Sequence, residues 1–202
     1  MGVNPKKIEL IRQVWAKGNR VARPAVFFDR DGVVIRQRNV VSEEKHMRPL
    51  AGAAAGLRSL QECGFLLIII TNQPSIEKGM VTEARARRLN EYLYQELKKK
   101  RVTFDASYTC PHRFGTECTC RKPGLELIRA AQKDFKIDMK QSWLIGDTTR
   151  DMETGRRAKL KTILVKTGDG GKDKRFFKTR GDIETRNLRL AAQAIAKKKG
   201  RL

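Results

Sequence analysis

Short runs of consecutive apolar residues alternate with amphipathic stretches along the chain. The runs are too continuously apolar to leave one face to water, which is typical of strands in a parallel sheet that is covered on both sides. They predict strands at 25–29, 65–70, 106–110, 142–147 and 161–168. The stretches between them have helical spacing and predict helices at 52–64, 82–100 and 123–135.

This alternation of strands and helices predicts the fold class. Right-handed crossovers between parallel strands build a doubly wound, Rossmann-like α/β sheet. Such a sheet brings the carboxyl ends of its strands together at one edge, and ligands bind there. Polar residues that directly follow the strands are therefore the candidates for a functional site.

The composition agrees with a single globular domain. A chain of 202 residues is enough for one sizeable domain and too short for two comfortable ones. No apolar run approaches the length of about 18 residues that a membrane helix needs, and the N-terminus shows no secretory signal. Four cysteines in a chain of this length do not indicate a secreted disulfide scaffold. We therefore expect a cytoplasmic enzyme, and a monomer rather than an oligomer.

The net charge of +22 lies largely at the two ends of the chain. Residues 1–23 carry +5 and residues 172–202 carry +8. We assign 1–22 and 171–202 to basic extensions, the second of them helical, around a domain at 23–170. The extensions are either solvated tails or weak binding segments for an anionic partner such as RNA, acidic glycolipid or ribosomes. Neither has the interleaved aromatic residues that single-stranded nucleic acid favours.

Two aspartates lie one residue apart at the end of the first predicted strand. Side chains alternate along a strand, so Asp29 and Asp31 can project the same way while Arg30 points elsewhere. Two carboxylates this close disfavour each other's ionisation unless a cation lies between them. Mg²⁺ prefers such carboxylates together with phosphate oxygens. Considered alone, the pair is equally well explained by an Asx turn that closes the strand.

Further polar groups follow the other predicted strands and precede the third predicted helix. They are a hydroxyl and two amides that suit phosphate oxygens (Thr71, Asn72 and Gln73), two cations (Arg121 and Lys122) and two carboxylates (Asp147 and Asp151). Because the fold gathers the strand ends, these groups and the aspartate pair form one predicted constellation.

Four motifs in order make the chain similar to a known superfamily. They are "DRDGVV", "TNQPSIEKGMVTEA", "CPHRFGTECTCRKP" and "GDTTRDMETGRRA", and they span about residues 24–170. This part resembles the haloacid dehalogenase (HAD) superfamily of phosphohydrolases. Within it, the motifs are similar to those of the heptose-bisphosphate 7-phosphatases and of the histidinol-phosphate phosphatases. The resemblance implies a Mg²⁺-dependent phosphatase that forms an aspartyl-phosphate intermediate and acts on a small phosphorylated sugar.

The resemblance also implies a role for each matching residue. Asp29 would be the nucleophile and Asp31 the general acid and base. Asp29, the backbone carbonyl of Asp31, and Asp147 would hold Mg²⁺. Thr71 and Lys122 would steady the phosphoryl group, and Arg121 would help to choose the substrate. We expect Asp151 to orient Lys122 or the waters of the metal rather than to react.

Three cysteines and a histidine fall within eleven residues of the third motif. Cys110, His112, Cys118 and Cys120 have the spacing C-x-H-x₅-C-x-C. A Cys₃His set selects tetrahedral Zn²⁺ with no open position, and such a site holds a loop that has no core of its own. The phosphatases that the chain resembles carry this loop. The alternative is a turn with reduced free thiols.

The spacing of the motifs bears on the substrate. The segments between them leave no room for a separate cap domain, so we expect an open site roofed by the zinc loop and residues 36–48. Two departures from the family concern the substrate: Thr148 stands where many relatives have Lys or Arg, and the segment after Pro123 is short. The sequence leaves several functions open. The chain is a phosphatase of a heptose bisphosphate or of histidinol phosphate, or, because of its positive charge, a nucleic-acid-binding zinc module or a nucleic-acid 3′-phosphatase.

Overall fold

The protein is built around a seven-stranded sheet, seen in a computed structural model that describes residues 9–173 and 177–200. The strands of this described part are β1 (Ile11–Val14), β2 (Ala25–Phe28), β3 (Leu66–Asn72), β4 (Ala106–Cys110), β5 (Trp143–Gly146), β6 (Lys161–Val165) and β7 (Ile183–Thr185). Their order across the sheet is β1-β4-β3-β2-β5-β6-β7. Strands β2 to β7 pair in parallel, and only β1 at the edge pairs antiparallel, with β4.

Helices cover both faces of the sheet. They are α1 (Ala53–Glu62), α2 (Glu83–Lys98), α3 (Glu126–Asp134), α4 (Thr149–Arg157) and α5 (Leu188–Lys198), with 3₁₀ turns at Glu44–Met47 and Met139–Gln141. Side chains of β2 alternate between the two sides: Val26 and Phe28 join the core under α1, α2 and α5, while Phe27 joins the core under α3 and α4. The predicted doubly wound α/β sheet is thereby confirmed.

The predicted elements are all present, with shifted ends. The strand expected at 161–168 ends at Val165, and the helix expected at 123–135 begins at Glu126. The helix expected at 82–100 begins where predicted, because the Thr82 side chain accepts a hydrogen bond from the Arg85 N–H at 3.2 Å and so caps it.

Both terminal segments contact the central sheet within their described residues. Strand β1 lies beside β4, and the ring of Trp15 stacks on Tyr94 of α2 with centroids 4.7 Å apart. Strand β7 extends the other edge, and α5 packs against α1. A Cβ on Gly56 of α1 would lie 3.0 Å from the Arg189 Cα, so a glycine lets the two helices approach closely. The proposed boundaries at residues 22/23 and 170/171 stay predictions.

Each of the two connections that lead to the site carries one α-helix. Residues between β2 and β3 form a 3₁₀ turn and α1, and those between β3 and β4 form α2. Within the described chain there is no separate cap domain, as predicted. No described helix is both long enough and apolar enough to cross a membrane.

Candidate active site

Asp29 leaves the sheet at its centre. Its backbone N–H donates to the Ile145 carbonyl of β5 at 3.0 Å, which holds the end of β2 in the sheet. The chain then turns at Gly32, whose φ is +85°. A Cβ at Gly32 would lie 2.2 Å from Asp147 Oδ2, so only glycine permits the Asp147 carboxylate to approach this turn.

Lys122 lies buried between two carboxylates. Its Nζ is 3.1 Å from Asp29 Oδ1 and 2.7 Å from Asp151 Oδ1, and it donates to the Ile70 carbonyl at 3.0 Å. Burial alone would lower the pKa of Lys122, but the charges of Asp151 and Asp29 raise it above its ordinary value. The lysine is therefore a fixed positive charge beside Asp29.

Asp147 completes a cluster of three carboxylates. Side-chain oxygens of Asp29, Asp147 and Asp151 all lie within 4.8 Å of one another. Asp147 is 1% exposed; its Oδ2 accepts from the Asp169 N–H at 2.8 Å, and its Oδ1 has no hydrogen-bond partner among the described residues. Burial, followed by the neighbouring negative charges, raises the pKa of Asp147 well above its usual range. An oxygen-rich, strongly negative cluster of this kind fits a divalent cation such as Mg²⁺.

Asp151 is fixed by the start of α4. Its Oδ2 accepts from the Thr148 hydroxyl at 2.5 Å and from the Thr148 N–H at 3.2 Å, while its own N–H donates to Thr148 Oγ1 at 3.2 Å. This reciprocal arrangement is a capping box. Thr148 is thus used to cap a helix, and Asp151 keeps its second oxygen for Lys122.

Arg30 contacts the neighbouring aspartate, so the expectation that it points elsewhere is wrong. Its Nε and Nη2 donate to the two oxygens of Asp31, both at 3.1 Å, and Gln73 Nε2 donates to Asp31 Oδ2 at 2.7 Å. Arg30 is only 2% exposed, and its Nη1 donates to Asn90 Oδ1 at 3.0 Å. Asn90 in turn donates to Gln13 Oε1 at 3.0 Å. A chain of hydrogen bonds therefore runs from β1 through α2 to Asp31.

The amides that follow β3 hold protein groups. Asn72 accepts from the Lys122 N–H at 3.0 Å and donates to the Lys122 carbonyl at 3.3 Å. Gln73 donates to Thr71 Oγ1 at 3.0 Å as well as to Asp31. These contacts differ from the expectation that both amides serve phosphate oxygens. Instead, they fix the backbone of Lys122 and the carboxylate of Asp31.

These groups line a cleft of about 190 Å³ at the carboxyl ends of the strands. Three arginines also line it: Arg38 from the 36–48 segment, Arg121, and Arg150 from α4. Burial and the charge of Arg150 lower the pKa of Arg121. Arg121 Nη1 donates to the His112 carbonyl at 2.8 Å, and its buried Nε has no hydrogen-bond partner within the described residues. The cleft combines a negative floor with a positive wall.

The predicted cysteine and histidine set comes together beside the cleft. His112 Nδ1 lies 3.2 Å from Cys120 Sγ and 3.5 Å from Cys110 Sγ, and the sulfurs of Cys110 and Cys118 are 3.9 Å apart. All four ligand atoms lie within 4.8 Å of one another. Tetrahedral zinc with bonds of about 2.3 Å to sulfur and 2.0–2.1 Å to nitrogen requires ligand separations of roughly 3.5–4 Å. The donor types and their spacing fit Zn²⁺.

The loop that carries this cluster rests on the segment after β3. Glu77 accepts from the Arg113 N–H at 2.7 Å and from the Thr116 hydroxyl at 3.0 Å. The Arg113 N–H is the main reason that the pKa of Glu77 lies below its ordinary value. Arg121 and Lys122 follow the last cysteine directly, so the cysteine and histidine cluster helps to position both cations.

Comparisons with known proteins agree with this geometry. A family model described as HAD-hydrolase-like matches residues 119–190. The chain is 37% identical over 153 residues to the D-glycero-beta-D-manno-heptose-1,7-bisphosphate 7-phosphatase of Yersinia pestis, covering 72% of this chain and 81% of that one. It is 35% identical over 153 residues to the protein of the same name from Escherichia coli strain K12, covering 72% and 80%.

The fold is similar to that of a solved structure, the D,D-heptose 1.7-bisphosphate phosphatase from B. bronchiseptica complexed with magnesium and phosphate. The TM-score is 0.80 at 24% sequence identity, over 87% of this chain and 99% of that one. At this identity the similarity supports the sheet and helix arrangement.

Proposed function

The chain belongs to the HAD family of phosphatases, which are phosphoric monoester hydrolases, and we propose that it removes the 7-phosphate of a heptose 1,7-bisphosphate. The observation that carries the proposal is the placement of Asp29 against Lys122 at the floor of a cleft whose wall has three arginines. A sugar with two phosphates has one anion to react at the floor and a second anion to bind at the wall. The name shared by the curated relatives supports this substrate.

Asp29 is the nucleophile in this proposal. Phosphate monoesters hydrolyse so slowly that the enzyme must supply on the order of 20 kcal/mol, mostly by positioning and charge stabilisation. A carboxylate needs no deprotonation at neutral pH before it attacks phosphorus. Lys122 neutralises negative charge on the transferring phosphoryl group, which becomes an aspartyl-phosphate on Asp29.

Asp31 moves the protons. It gives a proton to the leaving alkoxide and later takes one from the water that hydrolyses the aspartyl-phosphate. The bidentate contact with Arg30 and the bond from Gln73 fix the orientation of its carboxyl group. Thr71, at the end of β3, lines the same cleft and is placed to steady a phosphoryl oxygen.

Asp29 and Asp147, with the backbone carbonyl of Asp31, would hold Mg²⁺. The unpartnered buried oxygen of Asp147 and the three converging carboxylates support this assignment. When bound, Mg²⁺ supplies positive charge that orients the phosphate and stabilises its developing charge. Asp151 belongs to the same cluster, but its contact with Lys122 supports the role of orienting that lysine.

We propose a structural Zn²⁺ on Cys110, His112, Cys118 and Cys120, and a cytoplasmic location in which these thiols stay reduced. Protein purified without chelator should contain about one zinc per chain by elemental analysis. Cys118→Ser should lose that zinc and loosen the loop, which protease sensitivity of residues 111–120 would show. Cys63→Ser is the matched control, because Cys63 is buried outside the cluster and should keep the zinc. Full retention of zinc by Cys118→Ser would contradict the proposed ligands.

Substrate choice is assigned to Arg121. Its planar fork suits a second, stationary anion, whereas Lys122 is a point charge at the transferring group. We expect Arg121→Ala to lower kcat/KM for the heptose bisphosphate by roughly thirtyfold, about 2 kcal/mol, and to change the value for a heptose monophosphate much less.

The control for this variant is Arg113→Ala, which removes an exposed arginine from the same loop and should leave both substrates unaffected. Steady-state kinetics of both variants with the two substrates measure the difference. An equal loss for bisphosphate and monophosphate would show that Arg121 supports the loop, through its bond to His112, and does not read the second phosphate.

A turnover screen tests the function as a whole. Heptose 1,7-bisphosphates, histidinol phosphate and 3′-phosphorylated oligonucleotides are compared at equal concentration by phosphate release. The proposal expects the heptose bisphosphate to give the highest kcat/KM. Histidinol phosphate carries an amine in place of the second anion. Faster turnover of histidinol phosphate would contradict the proposed substrate and indicate a histidinol-phosphate phosphatase.

A further inference from the structure

A group of positively charged side chains lies away from the cleft. Strand β6 begins at Lys161, at the edge of the sheet opposite the catalytic aspartates. Five cationic side chains line a groove of about 460 Å³ at this edge: Lys140, Arg156, Lys159, Lys161 and Arg180. A second groove of about 250 Å³ shares Lys161 and adds Lys198 and Lys199. We call the two grooves together the basic face.

Little negative charge offsets the basic face. Among the residues that the structure describes, Asp182 is the one acid that lines either groove. Its Oδ2 accepts from the Thr162 N–H at 2.7 Å and from the Thr162 hydroxyl at 2.8 Å. Arg156 forms an ion pair with Glu153, at 2.6 Å. In the described part of the chain no carboxylate lies within ion-pair distance of Lys140, Lys159 or Lys161. The grooves therefore present a net positive charge to solvent.

Aromatic rings hold some of these lysines in place. The Nζ atoms of Lys161 and Lys198 lie 5.2 and 5.7 Å from the centroid of the Trp143 ring, which is 3% exposed. Lys199 Nζ lies 4.5 Å from the Phe65 ring and donates to the Cys63 carbonyl at 2.8 Å. Contacts of this kind restrict the ammonium groups before a partner binds, which lowers the entropy lost on binding.

Neither helix termini nor substrate attraction accounts for so much charge. A cation in the last turn complements the dipole of a helix. This accounts for Arg156 in the last turn of α4 and Lys198 in the last turn of α5, but not for Lys161, which begins β6, or Arg180, which lies outside the helices. A charge that attracts the substrate belongs at the cleft, but the basic face lies a strand length, roughly 15 Å, from it.

We propose that the basic face binds the phosphodiester backbone of nucleic acid, independently of the phosphatase site. Repeated phosphates suit a row of fixed cations in adjoining grooves. None of the large exposed apolar side chains of the described residues, which are Val21, Met80, Phe114 and Leu190, lines either groove, so the face lacks the side chains that insert into a membrane. Because its tryptophan is buried beneath lysines, the face contacts the backbone without stacking bases.

The test is binding of a fluorescein-labelled, unstructured RNA of about 20 nucleotides to the full chain, by anisotropy, from about 50 to 300 mM KCl. If five of the seven cations on the basic face each neutralise one phosphate, the slope of log K against log salt should be roughly −3.5. The variant K140E/K159E/K161E should bind at least about tenfold more weakly with a shallower slope. The control R88E/R186E/R189E has the same change in net charge on other exposed surfaces and should bind within about twofold of wild type.

Circular dichroism and phosphatase turnover of both triple variants confirm that the fold and the catalytic site are intact. Equal weakening by the two triple variants would overturn the proposal, because it would assign binding to net charge alone. So would an absence of RNA binding at about 50 mM KCl, or displacement of the RNA by millimolar inorganic phosphate, which would indicate a site for single ions. Tighter binding to anionic lipid vesicles than to RNA would also overturn it.

Discussion

Asp29→Asn should abolish phosphatase turnover with every substrate while the protein stays folded. An amide is not a nucleophile toward phosphorus, and loss of the attacking group should reduce kcat by at least about 10⁴-fold. The substitution keeps the shape of the side chain and removes one charge from a buried cluster. Because burial and the charges of Asp151 and Asp31 raise the pKa of Asp29, the neutral asparagine should leave the melting temperature unchanged or higher. Phosphate release and thermal unfolding measure the two effects.

Asp31→Asn is the companion variant that separates nucleophile from proton donor. It should reduce turnover of a sugar phosphate severely and of an aryl phosphate least, since a good leaving group needs no proton. Equal losses for the two esters would count against Asp31 as the acid. A near wild-type rate in Asp29→Asn would remove the proposed mechanism itself.

The centre of the sheet is the part of the fold that the sequence predicts best. Strands β2 to β6 are buried on both faces, so their continuous apolar runs stand out from the surrounding chain. Strands β1 and β7 have four and three residues and lie at the sheet edges. Their mixed sequences, IRQV and IET, become strands because a neighbouring strand offers hydrogen bonds, and no local pattern shows that neighbour.

The start of α4 carries a local helix signal, although α4 is absent from the predicted elements. Residues 146–151 predict a polar loop with two carboxylates. Thr148 and Asp151 have the T-x-x-D spacing of a capping box, which is a sign of a helix N-terminus. Asp151 is both a helix cap and a site carboxylate, because it accepts from Thr148 at the start of α4 and contacts Lys122.

The sequence predicts the parts of the candidate site whose residue types have a specific chemical use, such as thiols that bind zinc or a lysine that pairs with a carboxylate. The cysteine and histidine set and the pair Asp29 and Lys122 come together as expected. The sequence does not indicate the roles of Arg30 and Asn90. The buried Arg30 side chain donates a hydrogen bond to Asn90, which lies 60 residues further along the chain, and no local pattern shows such a partner. The roles of Asn72 and Gln73 depend on which protein groups lie within hydrogen-bond distance of their amides in the folded chain. A sequence pattern does not contain that information.

Lys122→Ala should reduce turnover of all substrates by a similar factor and destabilise the protein. The lysine touches the nucleophile rather than a distinguishing part of the substrate, so bisphosphate, monophosphate and aryl phosphate should each lose about 10²–10³-fold in kcat. Its removal leaves Asp29 and Asp151 buried without their cation, and breaking a buried ion pair costs about 3–5 kcal/mol. Denaturant unfolding without added Mg²⁺, and with the bound zinc retained, measures the second effect.

The double variant Lys122→Ala/Asp151→Asn separates these two consequences. Removing the charge of Asp151, which is fully buried at the start of α4, should recover much of the lost stability because one unpaired carboxylate disappears. It should recover no turnover, since the positive charge beside Asp29 is still missing. If activity returned together with stability, Lys122 would act only by holding the buried carboxylates in place, and its proposed contact with the transferring phosphoryl group would be wrong.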